Sequence, residues 1–286
     1  MNILHEIFDW IGIPVLVSVF IILYFVQQKF PLRKKVQSIW KRSIINNVIS
    51  IPSFLLLRFM FLPVMIWLTI RNESWHFGLN YLYKLPVWIE FAIAFLIFDY
   101  TNYLWHILNH RIPLLWRFHL VHHTDLDLDV HTAIRFHFGE LIGSLFFRGT
   151  FVLLSGASPL VVVIYEIIFE GATLFHHSNT KLPLPFEKGL NKLIVTPRMH
   201  GIHHSEIKEE TDSNFSVIFS FWDRIHQTIR LQIHQDMVKI GMPSYKKENE
   251  LTIFNLLMLP FKKIRPWNKE LLQRGGTAED NNSLEN

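Results

Sequence analysis

The sequence of 286 residues contains no cysteine, and this absence narrows the chemistry open to the protein. Without thiols there can be no disulfide, no thiolate zinc site, no iron–sulfur cluster and no cysteine nucleophile. Any metal bound by this chain must therefore be held by nitrogen and oxygen ligands. Sixteen histidines are available for that role, and histidine is the commonest metal-ligand side chain.

Charged residues are also scarce, at 18% of the chain, whereas hydrophobic residues make up 50% and include 25 phenylalanines. This composition is more apolar than that of an ordinary soluble domain and predicts membrane spans. The net charge is +4, but the basic residues gather beside apolar runs, as is typical of topology signals and lipid head-group contacts. No aromatic–basic recognition motif is present. We therefore expect a lipid bilayer as a partner and no nucleic acid.

Apolar runs predict an all-α integral membrane helical bundle with about four spans. Pro52, Pro63 and Arg58 interrupt the second run and indicate a kinked span or two shorter segments. The last two runs flank a Ser-Gly-Ala-Ser-Pro turn and predict a helical hairpin that enters or just crosses the bilayer. The runs cover about 8–26, 44–70, 87–105, 141–154 and 160–175.

The distribution of basic residues predicts the orientation of this bundle. Six lysines and arginines lie between the first two runs, in the segment 29–42, and few follow the second run. The positive-inside rule assigns the 29–42 loop to the cytoplasm. The third run then ends on the cytoplasmic side, and we expect a histidine-rich helical cap there.

Eight histidines occur in three closely spaced clusters. Spacings of three and four residues turn imidazoles toward one side of a helix. Thr196 as N-cap and Pro197 at the first helical position predict the start of the third cluster's helix, and Pro113 predicts a helix end just after His110. These patterns indicate a polynuclear metal site at a membrane surface. The clusters are His106-x-x-x-His110, His119-x-x-His122-His123 and His200-x-x-His203-His204.

An acidic residue precedes the first cluster inside an apolar run. Asp99, Tyr103, His106 and His110 are spaced by four, three and four residues and share one helical stripe. An unpaired charge there would cost at least ~2.5 kcal/mol. We therefore expect Asp99 to accept a ring N–H from a ligand histidine and to orient that ring, or to pair with a charge in the membrane. Asp99 and Tyr103 are the candidate catalytic residues.

Four further charged residues lie in the two hairpin runs: Glu140, Arg148, Glu166 and Glu170. Mutual pairing is the interpretation we favour for them, because ion pairs lower the cost of charge in an apolar setting. The alternative is that Glu140 or Glu170 approaches the metal.

Motifs between residues 90 and 230 follow one another in a specific order. They are Asp99-x-x-x-Tyr103-x-x-His106-x-x-x-His110-Arg111, Trp116-Arg117-Phe118-His119-x-x-His122-His123, Arg135-Phe136-His137, His177-Ser178-Asn179, Thr196-Pro197-Arg198-Met199-His200-x-x-His203-His204-Ser205, Asn214-Phe215-Ser216 and Phe221-Trp222-Asp223-Arg224. Together they resemble the sterol desaturase/fatty acid hydroxylase superfamily, whose members are integral-membrane non-haem di-iron enzymes that use O₂ on lipid C–H bonds. The chain departs from the family pattern at His176, which precedes the family histidine, and at His226, where relatives often have Phe-Gly.

The resemblance implies that the eight clustered histidines and His177 bind two iron ions, with His137 as a further ligand or a group beside the ligands. It implies O₂-dependent hydroxylation or desaturation of a lipid or sterol-like substrate. No haem domain, flavin domain or nicotinamide fingerprint is recognisable, so we expect an external electron donor. We expect membrane helices and a basic cytoplasmic loop at 1–89, a fatty acid hydroxylase-like catalytic domain at 90–230, an amphipathic interfacial segment at 231–267 and a disordered tail at 268–286.

Two other functions fit a histidine-rich membrane chain. A zinc-dependent membrane hydrolase would need His-Glu-x-x-His or a comparable carboxylate base, and the sequence has no such motif. A metal transporter would place polar ligands near the middle of several spans, whereas these clusters follow the ends of the apolar runs.

Overall fold

The computed structural model describes residues 2–83 and 86–267, and over these residues the protein is all-helical, with no β-strand. The predicted tail at 268–286 lies outside the described residues. Thirteen helices carry the labels used below. They are α1 (Phe8–Lys29), α2 (Ile39–Leu56), α3 (Leu62–Trp75), α4 (Leu79–Tyr83), α5 (Val87–Arg111), α6 (Pro113–His123), α7 (Phe138–Ser155), α8 (Pro159–His177), α9 (Leu184–Leu190), α10 (Pro197–His203), α11 (Lys208–Thr211), α12 (Phe221–Ile225) and α13 (Ile253–Met258).

Five helical segments are long and apolar enough to cross a membrane, where the sequence predicted about four. This number rests on length and composition alone. The segments are α1, the bent stretch Ile39–Tyr83, α5, α7 and α8.

For the second apolar run the sequence predicted either a kinked span or two shorter segments. The bent stretch corresponds to the kinked span. Helices α2 and α3 continue into each other through a π-helical turn at Leu57–Phe61, after Pro52 inside α2. Proline lacks a backbone N–H and crowds the preceding turn, so a helix that continues past it changes its hydrogen-bond register or bends. Within the π turn, Arg58 pairs with Asp9 of α1 at 2.5 Å, so two charges in apolar runs balance each other.

Proline also ends α5 where predicted. Ile112 is extended, with φ −94° and ψ 117°, because Pro113 disfavours helical geometry in the residue before it. Pro113 then opens α6 as its first residue. The chain thus turns at the end of the third span, and the histidines of α5 and α6 face each other.

The predicted helical hairpin is confirmed as α7 and α8. Gly156 caps α7 with φ +66°, a left-handed conformation that favours glycine. Arg148 of α7 forms an ion pair with Glu166 of α8, so mutual pairing is also confirmed for these two charges. Phe98 and Tyr165 pack in the core that joins the hairpin to α5.

Residues after the membrane helices cover the ends of α5 and α8 as a cap. Arg42, at the start of α2, donates to Asp125 at 2.6 Å and to Asp129 at 2.7 Å, and this fixes the loop that follows α6. In the segment 231–267, predicted to be amphipathic, Leu256 and Leu259 pack in the same core cluster as Leu120 of α6. The interfacial role of that segment stays a prediction.

Candidate metal centre

Nine histidines meet in two buried groups at the ends of α5 and α8. Each group offers one ligand nitrogen per ring, and these nitrogens all lie within 4.8 Å of one another. The set contains all eight clustered histidines together with His177. The five-histidine group is His106, His110, His119, His123 and His203, and the four-histidine group is His122, His177, His200 and His204.

Local sequence explains how the third cluster reaches this point. The hydroxyl of Thr196 accepts a hydrogen bond from Met199 N–H, and Pro197 is the first residue of α10, as predicted. His200 and His203 lie in this helix and His204 is its C-cap, and His203 joins the five-histidine group while the other two join the four-histidine group. One short helix therefore contributes to both groups.

Four of the rings are oriented by an acceptor that faces Nδ1. A neutral imidazole that donates from Nδ1 keeps a free lone pair on Nε2, which is the form that binds a metal. The acceptors are three backbone carbonyls and one carboxylate. The Nδ1 atoms of His106, His203 and His177 lie 2.8 Å from the carbonyls of Phe215, Ser213 and Thr173, and that of His119 lies 3.0 Å from Glu140 Oε1.

The opposite ring nitrogens converge on one another. In the four-histidine group, Nε2 of His177 lies 3.0 Å from Nε2 of both His122 and His200, and Nε2 of His200 lies 3.1 Å from that of His204. A nitrogen–nitrogen contact accommodates only one proton, so several lone pairs here face each other. In the five-histidine group, His203 Nε2 is buried without a hydrogen-bond partner among the described residues. Such a set of donors fits a bound cation at the centre of each group.

Electrostatics favour the neutral form of several of these rings. Burial lowers the pKa of His122, His123, His200 and His204 well below its ordinary value, and the neighbouring imidazoles lower it further. Burial likewise lowers the pKa of His203 to about 3, against the opposing effect of the Ser213 carbonyl. Neutral imidazole is the form that ligates. Neither group includes a carboxylate, so a bound cation would keep its full positive charge.

Asp99 does not contact a histidine ring, and this part of the prediction is wrong. Its carboxylate accepts hydrogen bonds from the backbone N–H groups of Ile218 and Phe219 at 3.2 and 3.1 Å, and from Trp222 Nε1 at 2.8 Å. Those contacts hold the loop that also provides the Phe215 carbonyl to His106. Asp99 therefore acts on the ring through a loop that lies far from it in sequence.

Tyr103 shares the helical stripe but points away from both groups. Its hydroxyl lies 2.9 Å from Thr228 Oγ1, and its ring stacks on His226 with centroids 5.2 Å apart. The structure gives it contacts with the segment after α12 and no contact with a ligand ring among the described residues. A catalytic role for Tyr103 stays a prediction.

His137 belongs to neither group, which corrects its assignment as a ligand. Its Nδ1 accepts a hydrogen bond from Gly139 N–H at 3.0 Å and so caps α7, while Nε2 donates to the Leu257 carbonyl at 3.1 Å. Both ring nitrogens are thus in use. The ambiguity between His176 and His177 is also resolved, because His177 lies in the four-histidine group whereas His176 Nδ1 contacts the Val217 carbonyl.

Glu140 is the carboxylate that performs the orienting role expected of Asp99. Oε1 accepts from His119 Nδ1 and, at the same distance of 3.0 Å, from Asn109 Nδ2. In the sequence, Glu140 is an acidic residue in the first turn of an apolar helix. We favoured pairing with the other hairpin charges for it, and Arg148 is the basic residue among them. Arg148 pairs with Glu166 instead, so Glu140 remains available to His119.

A cavity of about 550 Å³ lies next to the centre, between α2, α5, α7 and α8. Its walls are mostly apolar, and Phe136 and Glu140 line the end nearest the histidines. Phe136 stacks on His122 with ring centroids 4.6 Å apart, and Glu140 hydrogen-bonds His119. An apolar molecule in this cavity would thus lie beside both groups.

Comparison with known proteins is consistent with this arrangement. Residues 91–228 match the family model described as fatty acid hydroxylase. Human cholesterol 25-hydroxylase is 30% identical over 142 residues, which are 47% of this chain and 49% of that protein. The ornithine lipid hydroxylase OlsE of Rhizobium tropici is 28% identical over 158 residues, 55% of this chain and 46% of that protein. Alkylglycerol monooxygenase of Danio rerio is 28% identical over 179 residues, 62% of this chain and 38% of that protein.

The chain spans about half the length of several of the curated relatives it matches, including the cholesterol 25-hydroxylases of rat and human. No solved structure matches the chain. The region of similarity nevertheless includes every histidine of the two groups, because all nine lie between residues 91 and 228.

Proposed function

Residues 91–228 belong to the fatty acid hydroxylase family, and on that premise we propose that this chain is a membrane-bound, O₂-dependent non-haem di-iron enzyme that hydroxylates or desaturates a lipid or sterol-like substrate. The observation that carries the proposal is the pair of all-histidine groups, neutral and convergent, beside an apolar cavity. Its named relatives include hydroxylases of cholesterol and of ornithine lipid.

The five-histidine group would hold one iron and the four-histidine group the other. Imidazole is a suitable ligand for iron, and the family resemblance implies iron bound by histidines. When bound, the two irons would supply the redox chemistry that activates O₂. The chain's own residues would set the geometry: Glu140 and the Phe215 carbonyl hold the rings of His119 and His106, and Phe136 forms an apolar wall between the four-histidine group and the cavity.

The substrate would enter from the bilayer. Val48, Ile51 and Phe54 line the cavity on α2 and are also partly exposed on the outer surface of the bundle. A lipid could therefore pass from the membrane to the histidines without crossing water. Hydroxylation of a C–H bond by O₂ consumes two electrons and two protons beyond those of the substrate and releases one water, so the proposal includes an external electron donor.

We assign the centre to the cytoplasmic side. The basic loop at 29–42 and the cap share one side of the bundle, because Arg42 contacts Asp125 and Asp129 in the loop after α6. The positive-inside rule puts that loop in the cytoplasm.

The two rival functions gain no support. A zinc hydrolase of the His-Glu-x-x-His type has its general base between two ligand histidines of one helix, and the sequence has no such motif. A transporter needs ligands near the middle of its spans, whereas these groups lie at the ends of α5 and α8.

The test is metal content and oxygen incorporation in protein prepared without air and supplied with iron. We expect about two irons per chain, and label from ¹⁸O₂ in a lipid product if the enzyme hydroxylates. His203→Ala and His122→Ala remove one ligand from each group, so both should lower metal content and abolish turnover. His234→Ala is the matched control, since its side chain is 80% exposed. Retained iron with full turnover in His203→Ala and His122→Ala would reject this assignment.

A further inference from the structure

The cavity has a polar end as well as an end beside the histidines. Several polar residues line the cavity, and the charged ones away from the histidines are Arg148 of α7 and Glu170 of α8. Both residues lie toward the middle of their helices, away from the cap. Glu170 and His177 are seven residues apart on α8, which corresponds to about 10 Å of helix rise.

Arg148 contacts an acidic residue and two aromatic rings of the protein. It pairs with Glu166 across the hairpin, and its guanidinium lies over the rings of Phe61 and Phe169 at 4.8 and 5.0 Å from their centroids. Among the described residues that line the cavity, Arg148 is the one cation, and these ion-pair and cation–π contacts hold its guanidinium. Glu166 thus satisfies Arg148 and leaves Glu170 out of the pair.

Glu170 lines the cavity and has no hydrogen bond or ion pair with any residue in the described part of the chain. Glu170 is partly buried, and a polar group shielded from water without a partner is destabilising. The pairing predicted for the hairpin acids therefore does not extend to Glu170. Its carboxyl group is available to a hydrogen-bond donor on a molecule inside the cavity.

We propose that Glu170 binds the hydroxyl group of a lipid alcohol and so determines which carbon of the substrate reaches the histidines. The inference rests on the proposed function, because that function defines which end of the substrate reacts. A hydroxyl fits better than an ammonium group, because burying a neutral donor in an apolar cavity costs less than burying a cation. The hydroxyl and the reacting carbon would be separated by about the 10 Å that separates Glu170 from His177 along α8.

The first test measures binding without turnover. Full-length protein in detergent micelles is titrated with hexadecan-1-ol, its methyl ether and hexadecylamine. The ether keeps the oxygen but lacks the donor, so we expect the wild type to bind the alcohol about tenfold more tightly. Glu170→Gln keeps an acceptor and should retain most of this preference. In Glu170→Leu the ratio should fall to about one.

Ser144→Ala, which changes another polar residue of the cavity wall, is the control and should leave the ratio unchanged. An equal alcohol-to-ether ratio in wild type and Glu170→Leu would overturn the proposal. Tighter binding of hexadecylamine than of the alcohol, lost in both Glu170 variants, would also overturn it in favour of a cationic ligand. If Glu170→Leu does not fold, Glu170→Ala takes its place, since the smaller side chain removes the acceptor without adding volume.

The second test uses wild-type enzyme and alcohols of increasing chain length. The oxidised carbon should stay at a constant distance from the hydroxyl, and a constant distance from the methyl end would contradict the proposal. The two tests separate this inference from the proposed function. A protein without oxygenase activity that keeps the Glu170-dependent alcohol preference refutes only the function, and an active enzyme without that preference refutes only the inference.

Discussion

At the scale of single residues, an acceptor facing Nδ1 determines for four of the nine rings which nitrogen faces the centre. Among the described residues Glu140 is the one carboxylate that forms such a hydrogen bond, and it holds His119 at 3.0 Å. Loss of such a partner typically costs about 10–100-fold in metal affinity or activity. We therefore expect Glu140→Gln to fold and to lose metal to a chelator about 10–100 times more readily. Asp236→Asn is the control, as its side chain is 89% exposed, and equal metal retention in the two variants would exclude the role of Glu140.

His137 gives a pH-dependent prediction. Burial lowers its pKa below the ordinary value of 6.5, and the unprotonated Nδ1 caps α7. The unfolded chain therefore takes up the proton first as pH falls, so the stabilisation is fully present above pH 6.5 and is lost below it. In metal-free protein, the free energy of unfolding should fall more between pH 7 and 5 in the wild type than in His137→Asn, which has a capping oxygen at any pH. Parallel pH curves for the two proteins would contradict this.

The eight clustered histidines were predictable because their spacing is local, whereas His177 lies outside the clusters and was implied by the family resemblance. Three clusters fall within a few helical turns each, and helix geometry alone turns them together. Asp99, Tyr103 and His137 were not, because their partners are Ile218, Thr228 and Leu257, more than one hundred residues away. Helical periodicity relates residues three or four positions apart, so it does not predict contacts with residues more than one hundred positions later.

At the scale of elements, Asp99 connects α5 to the loop between α11 and α12. Asparagine offers only one acceptor oxygen and turns an N–H₂ group toward a backbone N–H. We expect Asp99→Asn to lower the free energy of unfolding by about 1–3 kcal/mol. It should also weaken metal binding in the five-histidine group, since His106 depends on the Phe215 carbonyl in that loop.

Chemical denaturation and metal titration measure the two effects of Asp99→Asn separately. An unchanged free energy of unfolding would show that the loop does not depend on Asp99. Loss of metal from the four-histidine group alone would contradict the connection through His106.

Helix boundaries were predicted well wherever proline or glycine determines them. Pro113 ends α5, Pro197 starts α10 and Gly156 ends α7 at the positions that local chemistry requires. The sequence did not determine whether the second apolar run forms one kinked helix or two shorter ones, because a proline in a helix is compatible with a bend or with a break. In the structure the helix continues through a π-helical turn at Leu57–Phe61.

At the scale of the whole molecule, the native absence of cysteine makes orientation testable by single cysteines. Ser38, Glu209 and Ser74 are all exposed. Ser38 and Glu209 lie on the side of the cap, and Ser74 lies at the far end of α3. In intact cells an impermeant thiol reagent should modify Ser74→Cys and spare Ser38→Cys and Glu209→Cys until the membrane is opened. Modification of Glu209→Cys from outside would invert the proposed orientation.

Both histidine groups combine early and late parts of the chain. A growing polypeptide that ends before Pro197 contains four of the five residues of one group, His106, His110, His119 and His123, but only His122 and His177 of the other. Neither group is complete until α10 has left the ribosome and docked on helices inserted long before. A complete set of ligands therefore exists only once α10 has docked, and a chain terminated before Pro197 would carry an incomplete cluster of imidazoles into the membrane.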